Sequence, residues 1–240
     1  MKQLIIILFG FLIFQSCGNE NKNRQKNDPE KKLETNTHYS SNTYKITPIK
    51  LNVSELPKDI KYEGEIVNAI KWIDNLGENI VVTTETGIYE NIKFKHENYG
   101  VDAEIFAYHY IVENKKAKQT WRVYDYINDC PVDIAAKFLD NTFQITDLDN
   151  NGIGEIWLMY KTVCHGDVSP SDMKIIMYEG KQKYAIRGVN KVMLGIDDNG
   201  NELYIGGEYK IDNAFSNGPE VFLEFAKELW NKNIIETWDN

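Results

Sequence analysis

Asp147-Leu-Asp-Asn-Asn-Gly-Ile-Gly-Glu155 concentrates side-chain oxygen in nine residues. Counting Asp147 as position 1, Asp149 and Asn151 fall at positions 3 and 5. Gly152 then provides a sharp turn, the carbonyl of Ile153 falls at position 7, and Glu155 falls at position 9. Alternate oxygens around a tight turn suit a hard, many-coordinate cation, so Asp147, Asp149, Asn151, Ile153 and Glu155 form a candidate Ca²⁺ set. The expected affinity is about 10⁻⁴ to 10⁻³ M, as in extracellular modules, with the ion fixing a loop rather than doing chemistry. The competing reading is a plain turn, because Asp, Asn and Gly are ordinary turn formers.

Position 12 is Leu158, where an EF-hand has a bidentate Glu, and Ile156-Trp-Leu-Met-Tyr160 reads as a strand. The loop therefore resembles the nine-residue calcium loops between strands of FG-GAP repeats.

Other chemistry is less organised. Cys164-His165-Gly-Asp167-Val-Ser169-Pro-Ser171 crowds His, Asp and Ser, but a triad needs three groups converging in space, and Gly-x-Ser-x-Gly is absent. The four histidines are scattered, without His-Glu-x-x-His or Cys-x-x-Cys, which disfavours zinc hydrolysis. Thirty-six acidic residues make some carboxylate pair inevitable, so a glycosidase pair is not identifiable. Tyr108, Tyr110, Trp121, Tyr124, Tyr126 and Trp157 could stack on sugars, although aromatics at strand spacing more often build core.

The elements that must position these groups read mainly as β. Strands are expected over 79–85, 88–95, 104–112, 120–127, 143–146, 155–161, 173–178, 184–187, 191–196 and 202–205. Asn199-Gly200 marks a hairpin. Over 104–112, Phe106, Tyr108 and Tyr110 share one face and Ile105, Ala107, His109 and Ile111 the other. One C-terminal amphipathic helix is expected after Pro219, with Val221, Phe222, Phe225, Ala226, Leu229 and Trp230 on one side. The fold class is a β-rich α+β, an antiparallel meander or sandwich with that helix. Acidic turns recur at Ile73-Asp-Asn-Leu-Gly, Leu148-Asp-Asn-Asn-Gly and Ile196-Asp-Asp-Asn-Gly, too irregularly spaced for a solenoid.

Of 27 basic and 36 acidic residues, six and four lie in 1–43, leaving 21 and 32 and a net charge of −11 for 44–240. Such a body repels phosphate backbones and excludes nucleic acid as an expected partner. Lys2 followed by apolar Leu4–Phe14 is too short to span a bilayer and has the order of a secretory signal. Ser16-Cys17 at its end resembles the lipobox of bacterial lipoproteins. The resemblance implies removal of residues 1–16, lipid on Cys17, and membrane anchoring through that lipid. Gly18, in place of a retaining Asp, implies the outer membrane. Residues 17–43 are polar and read as a disordered tether, leaving 44–240 as one β-rich domain. With Cys17 lipidated, Cys130 and Cys164 remain as a bridge or as two buried thiols, and an oxidising compartment favours the bridge.

From Trp121 to Gly188 the chain runs Trp121-Arg-Val-Tyr-Asp-Tyr-Ile, Asp129-Cys-Pro, Ile145-Thr-Asp-Leu-Asp-Asn-Asn-Gly, Glu155-Ile-Trp, Cys164-His-Gly-Asp-Val-Ser-Pro and Lys183-Tyr-Ala-Ile-Arg-Gly. This resembles a family of small envelope lipoproteins assigned to surface polysaccharide biosynthesis. The family implies a role in lipopolysaccharide or capsule production and supplies no catalytic residues. The expected function is a lipid-anchored, non-enzymatic accessory in that process, meeting surface glycan or glycan-assembly proteins. The alternatives are an envelope glycan hydrolase or transferase using unidentified carboxylates, and a surface adhesin or glycan-binding module.

Overall fold

Alternating side chains build two antiparallel sheets in the computed structural model, which describes residues 45–236. The expected signal peptide, Cys17 and the tether to residue 43 lie outside the described residues. The first sheet is a meander of β1 (Ile49–Lys50), β2 (Glu65–Asp74), β3 (Gly77–Tyr89), β4 (Val101–Glu113) and β5 (Lys116–Cys130). The second contains β6 (Ile134–Phe138), β7 (Gln144–Thr146), β8 (Glu155–Cys164), β9 (Asp172–Glu179), β10 (Gln182–Val189) and β13 (Tyr209–Ile211). Its order is β13-β10-β9-β8-β6, with β7 also paired to β8. A separate hairpin joins β11 (Lys191–Ile196) and β12 (Glu202–Gly206) through the predicted Asn199-Gly200 turn. The mainly β, sandwich-like expectation holds.

Period-two alternation sorts side chains into three cores. Between the sheets lie Trp72, Val81, Ile105, Trp121, Leu158, Ile176 and their neighbours. On the outer face of the second sheet, Trp157, Met159, Ile175, Met177 and Ile186 meet α1 (Asn213–Asn217) and α2 (Glu220–Asn233). An isolated helix as short as α2 is marginal in water, so packing must hold it. Its buried Phe222, Leu229 and Trp230 supply that, at about 1.5–3 kcal/mol for each large side chain. The third core, on the outer face of the first sheet, sets Phe106, Tyr108 and Tyr110 under Leu51, Leu56 and Ile60. The expected two faces of β4 are thus both real, and both are buried.

The chain crosses from one sheet to the other just after β5, and there Cys130 bonds to Cys164 at the end of β8, with Cα atoms 5.8 Å apart. The bridge ties the two sheets together and encloses the acidic loop. Closing such a loop stabilises a fold by about 3–4 kcal/mol, mainly by restricting the unfolded chain. No helix among the described residues is long and apolar enough to cross a membrane.

Three local expectations needed correction. The strand expected over 88–95 stops at Tyr89, because carboxylates draw the following backbone into a loop. Asp102 accepts from Asn91 N at 2.7 Å, and Asp129 accepts from the amides of Glu97, Asn98 and Gly100. β2 and β6 were not anticipated from their mixed patterns. The single expected helix is preceded by α1, whose N-terminus is capped by Asp212 accepting from Phe215 N at 3.0 Å.

Candidate functional site

The acidic loop joins β7 to β8, so its two ends are held in register, with Thr146 opposite Glu155. Asn150 and Gly152 take positive φ angles of 58° and 79°, which let the chain double back. Asp147 Oδ1 accepts from Gly152 N at 3.2 Å, and Asp149 Oδ1 accepts from Asn151 N at 3.1 Å. The carboxylates of Asp147, Asp149 and Glu155 consequently converge, with ligand oxygens within 4.8 Å of one another.

Glu155 is fully buried. It accepts from Thr146 Oγ1 at 2.6 Å and Leu148 N at 3.0 Å, yet burial holds its pKa above the usual carboxylate range, and Asp149 and Asp147 raise it further. Three carboxylates gathered this way repel one another, and a bound cation would relieve the repulsion. The arrangement can hold a metal ion. Asn151, also expected as a ligand, bonds within the loop. Its Oδ1 accepts from Ile153 N at 2.8 Å, and its Nδ2 donates to Asp149 and Glu179.

Residues distant in the chain back this loop. Asp74, at the end of β2, is buried and accepts four hydrogen bonds. Trp72 Nε1 and Gly154 N donate to Oδ2 at 2.8 and 3.1 Å, while Leu76 N and Asn79 Nδ2 each donate to Oδ1 at 2.8 Å. Asn75 adds two contacts, from its backbone N to Gly152 O at 2.8 Å and from Nδ2 to Asn151 O at 2.9 Å. Two of the three similar acidic turns therefore lock together. Their shared Asp-Asn-x-Gly pattern was the available signal.

Behind Asp74 the network continues to His109. Asn79 uses its amide N–H groups on Asp74 and Gly77, so its oxygen accepts from His109 Nε2 at 3.1 Å. His109 Nδ1 lies 2.5 Å from Thr120 Oγ1, and the same hydroxyl donates to His109 O at 3.3 Å. Burial favours the neutral imidazole and lowers its pKa to about 4, against the opposing pull of Asp74.

The Cys164–Asp172 segment brings Ser171 Oγ to 3.2 Å from His165 Nε2. However, His165 Nδ1 lies 3.1 Å from the backbone oxygen of Asp167, nearer than the 3.5 Å to its carboxylate. That carboxylate is held to its own turn by Ser169, whose bonds keep its pKa low. The segment is a structured turn.

Of the six candidate sugar-stacking aromatics, Tyr108, Tyr110, Trp121 and Trp157 are buried, whereas Tyr124 and Tyr126 are 39% and 46% exposed. Their rings stack at 5.2 Å on the outer face of β5. Phe106 stacks beneath Tyr124 at 4.9 Å, and the Arg122 guanidinium lies over both rings. Tyr124 donates to Glu104 Oε1 at 2.8 Å, at the side of a cleft of about 580 Å³ that Tyr89, Ile92 and Phe94 also line. Burial, then Glu104, pushes the Tyr89 hydroxyl up to about 12. An aromatic face beside a carboxylate suits a ligand with both C–H faces and hydroxyls.

Comparison with protein-family models, with curated proteins and with solved structures finds no match to this chain.

Proposed function

We propose that the chain is an exported envelope lipoprotein, anchored through Cys17, that assists surface polysaccharide production by engaging glycan without cleaving it. The observation that carries this reading is the exposed Tyr124–Tyr126 strip with Glu104 beside it. A pyranose presents a C–H face to such rings and hydroxyls to such a carboxylate. Ca²⁺ in the loop of Asp147, Asp149 and Glu155 has a structural role in this reading, supported by the oxygen-only ligands and the buried Glu155. The disulfide is compatible with an oxidising, extracytoplasmic compartment, and the outer membrane remains the proposed address.

The test is the surface-polysaccharide profile of a deletion strain. Altered lipopolysaccharide or capsule, restored by the intact chain and not by Tyr124→Ala/Tyr126→Ala at equal protein level, is the expected result. An unchanged profile removes the reading. Restoration by Asp149→Ala would confine the metal loop to stability.

A second reading is favoured by a different cleft, of about 550 Å³, lined by Glu85, Asp140, Glu236, Lys137 and Lys161. Burial raises the pKa of Glu85 against the lowering pull of the Phe138 amide and Lys137, and a raised carboxyl is how a general acid for glycan hydrolysis would be set. Release of reducing ends from envelope glycan, abolished in Glu85→Gln, would transfer the function to that cleft. No release by the intact chain eliminates the hydrolase.

A further inference from the structure

A row of positive charge crosses the second sheet. Lys174 on β9 pairs in register with Arg187 on β10, which pairs with Lys210 on β13. Neighbouring strands lie about 4.8 Å apart, so three cations stand side by side, an arrangement that costs stability. All three share one face. Ile176 and Ala185 point into the inter-sheet core, and two-residue periodicity puts Lys174 and Arg187 with them. Tyr209 and Ile211 turn to the helix side, leaving Lys210 on the same face as Arg187. Lys183 joins them, four residues before Arg187. Although Lys183 is exposed overall, partial desolvation of its ammonium, then the nearby Arg187, pulls its pKa down, while Asp212 and Asp125 pull the other way.

The first sheet ends at β5, its edge strand, before it covers this row. Asp125 reaches across from β5 to Lys174 Nζ at 2.5 Å and to the Tyr160 hydroxyl at 3.0 Å. Beyond that contact, Lys183, Arg187 and Lys210 are exposed, and among the described residues they form no ion pair. The result is a ledge with the β5 edge as its wall and cations as its floor. In a body of net charge −11, unpaired cations gathered on one face of neighbouring strands call for an anionic ligand.

β5 supplies the rest of the argument. Arg122, Tyr124 and Tyr126 lie on its outer face, and Asp125, between two of them, lies on the ledge side. A glycan chain laid over this edge meets stacked rings on one side and cations on the other. An edge strand also offers free backbone donors and acceptors to hydroxyl groups.

We propose that the ledge binds the carboxylate or phosphate groups of an acidic glycan, making it and the Tyr124–Tyr126 strip two parts of one binding path. The proposal rests on the glycan-engaging reading above and specifies the charge class of that glycan.

Binding of the full chain to a galacturonate oligomer, measured calorimetrically in low salt, tests it. Arg187→Gln/Lys210→Gln should weaken binding about tenfold, the scale of losing charge-assisted hydrogen bonds at an exposed site. Arg187→Lys/Lys210→Arg should restore it, and Lys58→Gln/Lys227→Gln, an equal charge change at exposed positions elsewhere, should leave it within twofold. A neutral galactose oligomer should bind without dependence on the row. Undetectable binding of galacturonate by the intact chain, or equal loss in both Gln pairs, overturns the proposal. Equally tight, row-dependent binding of a glutamate oligomer or of phosphatidylglycerol vesicles replaces it with a peptide or membrane surface. Phosphate-bearing and carboxylate-bearing glycans are separated by competition with inorganic phosphate or with galacturonate monomer. Row-dependent binding alongside an unchanged deletion-strain profile would retain the ledge and discard the polysaccharide role.

Discussion

Two turns of nearly the same composition behave differently. Leu148-Asp-Asn-Asn-Gly and Ile196-Asp-Asp-Asn-Gly both bend at a glycine with positive φ. At 197–201, Asp197 satisfies its carboxylate locally, accepting from Asn199 N at 2.9 Å and from Asn201 N at 2.8 Å. That turn is exposed, and a Cβ on Gly200 would meet nothing within 4 Å. At 147–155, a Cβ on Gly152 would sit 2.2 Å from Asn75 Nδ2. The buried Asp74 holds the loop from outside and Glu155 anchors it from within. Both turns keep their local bonds, and what sets 147–155 apart is the hold that Asp74 and Asn75 take on its backbone while its carboxylates face one another.

The contrast can be broken most severely at Asp74. Asp74→Ala strands four donors, three of them buried, and should cost about 3–5 kcal/mol in urea unfolding; a loss below 1 kcal/mol would mean that the loop stands alone. Gly152→Ala should cost about 2–3 kcal/mol, since the left-handed backbone penalty adds to displacement of Asn75. The His109 network behind Asp74 predicts a pH signature. His109 is held neutral when folded, so its contribution is full above the unfolded pKa of about 6.5 and is lost as pH falls toward 4. From pH 7.5 to 5 the fold should lose about 2 kcal/mol through this residue, a slope that His109→Gln should flatten. With about 5 mM Ca²⁺, the weak affinity expected of the loop adds about 1–2 kcal/mol, seen as a raised Tm absent in Asp149→Ala. An equal rise in that variant would place the ion elsewhere. The smallest effect belongs to Gly200→Ala, about 1 kcal/mol from backbone strain alone. Equal losses at Gly152 and Gly200 would erase the distinction between the two turns.

Much of this architecture was legible in local pattern. The α2 stripe, the Asn199-Gly200 hairpin, the two faces of β4 and the Cys130–Cys164 pair follow from periodicity, turn chemistry and cysteine parity. The convergence of Asp147, Asp149 and Glu155 was legible because their spacing sets acidic residues around a glycine turn. β2 was not, since Glu-Ile-Val-Asn-Ala-Ile-Lys-Trp-Ile-Asp mixes polar and apolar residues around a bulge between Ile66 and Asn68. The end of β3 at Tyr89 depends on Asp102 and Asp129, which lie 11 or more residues away from the amides they hold. The role of Asp74 depends on Gly154, 80 residues distant. The cation row exists only through strand register, and nothing in Lys174, Arg187 or Lys210 taken singly distinguishes them from solvated lysines and arginines.

The bridge between the sheets has a mechanical consequence. Cys130 and Cys164 are 34 residues apart, so a stretching force applied beyond both bypasses everything between them. The shielded segment carries the acidic loop and all of β6 and β7. In single-molecule pulling, reduction of the bridge should release about 110–120 Å of additional contour length, the reach of that many extended residues. Until then the loop stays slack while the flanking strands peel apart.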